Sequence, residues 1–114
     1  MEKEELKKYI GNCYYSEDEY STSKMYYKIV SFAFDNTYKQ YKFHLLIVQT
    51  SLYANPILNK SMCFLTWMDV ETFKKLTEIS FKQIDSSIFN KQLSLIQKSQ
   101  INLSTYADKY RSKN

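Results

Sequence analysis

Apolar positions along this chain start at helical spacing, change to alternation, and return to helical spacing. Leu6, Tyr9 and Ile10 fall on one side of a short amphipathic helix over 2–10. Gly11-Asn12 stops it, because glycine is favoured just past a helix end. Cys13-Tyr14-Tyr15 predicts a brief strand, and the polar stretch 16–24 an exposed loop. The run 25–34, dense in Tyr, Val, Ile and Phe, predicts a strand. Strict alternation sets Val30, Phe32 and Phe34 on one face and Met25, Tyr27, Ile29 and Ala33 on the other, so both faces are covered over part of its length. Asp35-Asn36-Thr37 predicts a turn, and 38–50 returns as the second arm of an antiparallel hairpin. In that arm Tyr41, Phe43, Leu45 and Ile47 alternate with Gln40, Lys42 and His44, which sets the core face, while Leu46 and Val48 make the other face apolar too.

A connection over 54–61 holds the only proline, Pro56, and 62–67 predicts a third strand. Asp69 is placed to cap a short helix presenting Val70, Phe73 and Leu76. Ser80 followed by Gln83 has the capping-box spacing, which predicts a second helix starting there. Its apolar positions are Phe81, Ile84, Ile88 and Leu95, with Phe89, Leu93 and Ile96 on an adjoining arc, a broad face for packing on a sheet. A weaker basic helix is expected over 105–113, with Tyr106 and Tyr110, after an interruption at 99–104. The order predicts an α+β fold: a small antiparallel sheet or half-barrel of three to four strands, a short N-terminal helix, and C-terminal helices packed on the sheet. At 114 residues the chain reads as a single domain over 1–114.

Composition narrows the chemistry. One glycine, Gly11, serves the whole chain, whereas phosphate cradles and dinucleotide turns need several. Tyrosine appears eleven times, and seven of these fall between Tyr14 and Tyr41. Large, stiff side chains with a polar tip suit contact surfaces as well as cores. Lysine outnumbers arginine fifteen to one, and Asn, Ile, Tyr and Phe abound, which is the mark of AT-rich codons. Part of the tyrosine content therefore reflects coding bias. No apolar run approaches the roughly 20 residues of a membrane span. The charged start 1–5 lacks the apolar stretch of an export signal, so a cytoplasmic location is expected. Cys13 and Cys63 then read as reduced thiols, with a disulfide between them left open. With His44 as the only histidine, neither a metal nor a cofactor is expected.

Candidate chemistry is sparse. His44 with Cys13 or Cys63, oriented by Asp35 or Asp69, would make a nucleophilic site, but no spacing brings them together, and an enzyme is not expected. Glu17-Asp18-Glu19 is adjacent along a loop instead of facing across a cleft. Flanked by Tyr14, Tyr15 and Tyr20, it reads either as loop solvation or as a partner-binding patch for a basic protein surface. The net charge of +4 comes wholly from the second half of the chain. Lys91, Lys98, Lys109 and Arg111 could there meet a nucleic-acid backbone, although a single arginine nearly excludes bidentate reading of guanine. Aromatic residues on the strands could stack bases, but core packing accounts for them.

The segments Ile10-Gly11-Asn12-Cys13-Tyr14-Tyr15, Tyr26-Tyr27-Lys28-Ile29-Val30-Ser31 and Glu78-Ile79-Ser80 before a terminal helix are similar to a layout in small uncharacterised proteins of Gram-positive phages and mobile elements. The likeness spans residues 9–97 and brings no catalytic residue with it. It implies a non-catalytic interaction protein in the cytoplasm of a bacterial host. Its partner would be a host protein machine such as a CRISPR effector, and its role anti-defence. A nucleic-acid-binding accessory protein is the alternative.

Overall fold

The alternating stretch forms a five-stranded antiparallel sheet, seen in a computed structural model that describes residues 3–17, 23–51 and 60–96. Helix α1 (Lys3–Lys7) leads into β1 (Cys13–Glu17), β2 (Ser23–Asp35), β3 (Gln40–Ser51) and β4 (Lys60–Asp69). Helix α2 (Val70–Ile79), β5 (Lys82–Ile84) and a final helix α3 over residues 86–96 follow. The strand order is β4-β3-β2-β1-β5, so the sheet is open, with β4 at one edge and β5 at the other. An α+β fold with helices on the sheet agrees with the sequence. The half-barrel does not, and there are five strands where three to four were expected.

Two of the differences have local causes. The capping box at Ser80 is not used: the Ser80 and Phe81 amides both donate to the Leu76 carbonyl, at 2.9 and 2.8 Å, and finish α2. The chain then extends as β5 against β1, pairing Cys13 with Ile84 and Tyr15 with Lys82. Only afterwards does α3 begin, its first turn held by the Ser87 amide donating to Asp85 Oδ1 at 2.9 Å. The second difference lies in β2. Ile29 pairs with Leu45 and Ser31 with His44, leaving Val30 as the extra residue of a bulge. An extra residue reverses the face of everything beyond it. Phe32 and Phe34 therefore pair with Phe43 and Tyr41 on the side of Tyr27 and Ile29, and Ala33 moves to the opposite side. Of the loop expected over 16–24, Ser16 and Glu17 belong to β1 and Ser23 and Lys24 to β2, while 18–22 lie outside the described residues.

Helices cover both faces. On the first face, Tyr27, Ile29, Phe43, Leu45 and Ile47 pack with Leu6, Val70, Phe73 and Phe81. Phe73 is the hub, its ring 5.0 Å from Tyr14, 5.3 Å from Phe43 and 5.7 Å from Phe81. Gly11 has φ 91°, and this left-handed turn lets its amide donate to the Ile29 carbonyl at 2.8 Å, fastening α1 to β2. On the second face, Phe89 and Ile96 of α3 bury against Cys13 and Val48, with Tyr26, Leu46, Cys63, Ile84 and Leu93 around them. The inward stripe of α3 is narrower than its composition suggested: Ile88 and Leu95 are about half exposed. Of the connection expected over 54–61, residues 60 and 61 belong instead to β4; residues 54–59, like the segments 99–104 and 105–113, lie outside the described residues. No described helix is long and apolar enough to cross a membrane.

Candidate interaction surface

Cross-strand pairing orders the second face into rows, because directly opposed residues in an antiparallel sheet share a side. Tyr15, Tyr26, Val48 and Cys63 make one row; Cys13, Lys28, Leu46 and Leu65 the next. Ser31, His44 and Trp67 follow, then Ala33, Lys42 and Asp69. Helix α3 packs on residues of the first two rows. Among the described residues no helix covers the last two, which form an open half-face.

The floor of that half-face is aromatic. His44 and Trp67 stack at 4.2 Å between ring centroids and 8° between planes, and Trp67 is 50% exposed. A depression of about 280 Å³ adjoins them, lined by Ala33, Phe34, Asp35, Lys42 and Trp67. Its rim is charged and ordered. Lys42 Nζ lies 2.8 Å from Asp35 Oδ2 and 5.3 Å from the centre of the Tyr38 ring. Asp35 Oδ1 also accepts the amides of Thr37 and Tyr38, which shapes the hairpin turn. The Lys42 ammonium, followed by these amides, holds the Asp35 carboxyl below the usual carboxylate range, and Asp35 in turn raises Lys42. At the end of β4, Asp69 occupies the cap position of α2, but its carboxylate accepts the Thr72 hydroxyl and no cap amide.

The tyrosine patch read from the sequence divides. Tyr14 points into the core, 5% exposed and edge-on to Phe73, so it is not available for contact. Tyr15 stays half-buried on the second face, its ring 5.2 Å from Tyr26, and its hydroxyl donates to Glu17 Oε2 at 2.7 Å. Burial, then the bond to Glu17 and its charge, push the Tyr15 phenol up to about 12. Asp18, Glu19 and Tyr20 lie outside the described residues. So do Lys98, Lys109 and Arg111; of the basic set only Lys91 is described, exposed on α3.

His44 and the cysteines are kept apart. Cys63 is four residues along β4 from Trp67, the residue opposite His44, and Cys13 lies two strands away on β1. Cys13 and Cys63 themselves are three strand spacings apart, roughly 14 Å, beyond the roughly 7 Å limit for a disulfide. Both thiols are free, and burial pushes both up. Among the described residues no three His, Cys, Asp or Glu side chains cluster as metal ligands.

The His44–Trp67 stack was missed by sequence reading. Both residues were placed on strands, but their contact depends on the β3–β4 register, which periodicity does not fix. The chain's lone tryptophan, falling on a predicted strand, was the one available signal. No family model, no curated protein and no solved structure matches the chain.

Proposed function

We propose that this chain is a non-catalytic interaction protein that binds and inhibits or redirects a host protein machine, with a CRISPR effector as the candidate partner. The observation that carries the reading is the open half-face around Trp67. A half-exposed tryptophan, held flat by His44 and rimmed by the Asp35–Lys42 pair, has the composition of an interface centre: an aromatic anchor within a polar border. Stacking on His44 restrains the indole before binding, which reduces the ordering cost of association. The anti-defence role and the choice of partner rest on the likeness of 9–97 to small phage proteins and on nothing in the geometry.

Trp67→Ala tests the surface, and Tyr15→Ala tests the separate tyrosine patch on β1. A purified CRISPR effector should be retained by the wild-type chain and by Tyr15→Ala. The Trp67→Ala variant should lose at least tenfold in affinity, the size expected when an interface anchor is truncated. A phage-restriction assay in an immune host should show the same ranking. Equal binding by Trp67→Ala would remove the open half-face as the contact.

A further inference from the structure

Among the described residues, strand β4 is a sheet edge without the usual protections. Among the described residues it pairs with β3 alone, through ten consecutive pairs with no bulge. The eight positions 61–68 are uncharged and contain no proline or glycine. Met62, Leu65 and Trp67 are each at least half exposed along it. The opposite edge is blunted, since β5 is three residues long with Lys82 and Gln83 exposed. Sheets normally guard an edge by shortness, charge, proline or a bulge, because a long bare edge templates another strand.

We propose that a second copy of this chain pairs with β4 in antiparallel fashion, joining the two sheets across a two-fold axis. The uncharged run accepts a strand that is itself uncharged over the same length, and β4 supplies one. Antiparallel pairing also sets the end that starts at Lys60 beside the end that finishes at Asp69, so like charges do not meet. A two-fold axis perpendicular to the sheet makes like faces continuous, so only residues of the same face oppose each other. Centred on Leu65, the register sets Leu65 against the partner's Leu65 and Cys63 against the partner's Trp67. On the other face it sets Met62 against the partner's Met68 and Phe64 against the partner's Thr66. Centred on Phe64 instead, it would set Met62 against Thr66 and Ser61 against Trp67, opposing apolar side chains with polar ones. A nine-residue ladder is about 30 Å long. The ladder closes over the edge amides and carbonyls of both copies together with the exposed parts of Met62 and Leu65, and leaves the outward half-face around Trp67 to the partner proposed above. Both His44–Trp67 stacks then lie on the same side of the joined sheet.

Sedimentation velocity of the full chain over a range of concentrations tests this. The wild-type chain sediments as a dimer. Leu65→Lys, which opposes two ammonium groups at the axis, sediments as a monomer with an unchanged far-ultraviolet circular dichroism spectrum. With Cys13 and Cys63 replaced by serine, Leu65→Cys cross-links to a disulfide dimer on mild oxidation, since directly opposed residues sit about 4.5–5.5 Å apart. Met62→Cys, equally exposed but opposite Met68, does not. Should Leu65→Lys fail to fold, the cysteine pair decides. A wild-type chain that stays monomeric at its highest soluble concentration overturns the proposal. Protection of its β4 amides from exchange would then show the edge covered from within the same chain. A dimer that survives Leu65→Lys, or equal cross-linking of both cysteine variants, overturns it as well.

Discussion

Three of the described tyrosines show how position along a strand decides what a tyrosine does. Tyr27 stacks on Phe81 at 4.3 Å and shares a hydrogen bond of 3.0 Å with Ser16, so both its ring and its hydroxyl serve the core. Tyr14 and Tyr15 are neighbours in β1, yet one faces Phe73 and the other faces Tyr26, because successive strand residues point to opposite sides. Burial raises the phenols of all three. A folded phenol that keeps its proton above its ordinary value near 10 stabilises the fold fully below that pH. The contribution is lost as pH rises toward about 12, where the Tyr15 phenol finally ionises. Base should therefore weaken the fold between about pH 10 and 12. Ultraviolet titration of phenolate should show Tyr15 ionising late in the wild-type chain and earlier in Glu17→Gln, which lacks the carboxylate. In Tyr15→Phe the late phase should shrink by one phenol, leaving Tyr14 and Tyr27.

At the scale of elements, α2 is held by the contacts of one residue more than by its own caps. Phe73 is fully buried, and three aromatic rings, Tyr14 of β1, Phe43 of β3 and Phe81 just before β5, surround it. Phe73→Ala removes that hub and leaves a cavity, at a cost of about 4 kcal/mol. This is a large part of the roughly 5–15 kcal/mol that a domain of this size has. Urea titration followed by circular dichroism should show the midpoint falling sharply; a change under 1 kcal/mol would mean that the neighbouring rings close the gap. The helix itself was legible, since Val70, Phe73 and Leu76 have the spacing and Asp69 the cap position. The strand after it was not. A three-residue β5 carries too little periodicity to read, and Ser80-x-x-Gln83 presents a helix start that pairing with β1 overrides. The face of Phe32 was likewise illegible, because it turns on a bulge at Val30 that leaves no mark on composition.

Across the whole molecule, the sheet separates features that look equivalent in the chain. Cys13 and Cys63 pack under the same helix yet stand on β1 and β4, so reductant should leave the melting temperature of the folded chain unchanged. A fall in melting temperature on reduction would contradict the strand order. The hairpin of β2 and β3, the core face Tyr41–Phe43–Leu45–Ile47, the α+β class and the stop at Gly11 were all readable from residue order. They follow from local rules: alternation, helical spacing and the conformational freedom of glycine act over a few neighbouring residues. Which strands meet, which strand forms the edge and which rows of a face α3 packs on among the described residues were decided only by tertiary pairing. The Tyr14–Tyr20 patch reads as one surface in the chain because its residues are close in sequence. In the fold Tyr14 goes to the core, and the exposed aromatic centre lies instead where β3 and β4 bring His44 and Trp67 together. Contacts between residues distant in the chain depend on register and burial, and those are properties of the packed sheet as a whole.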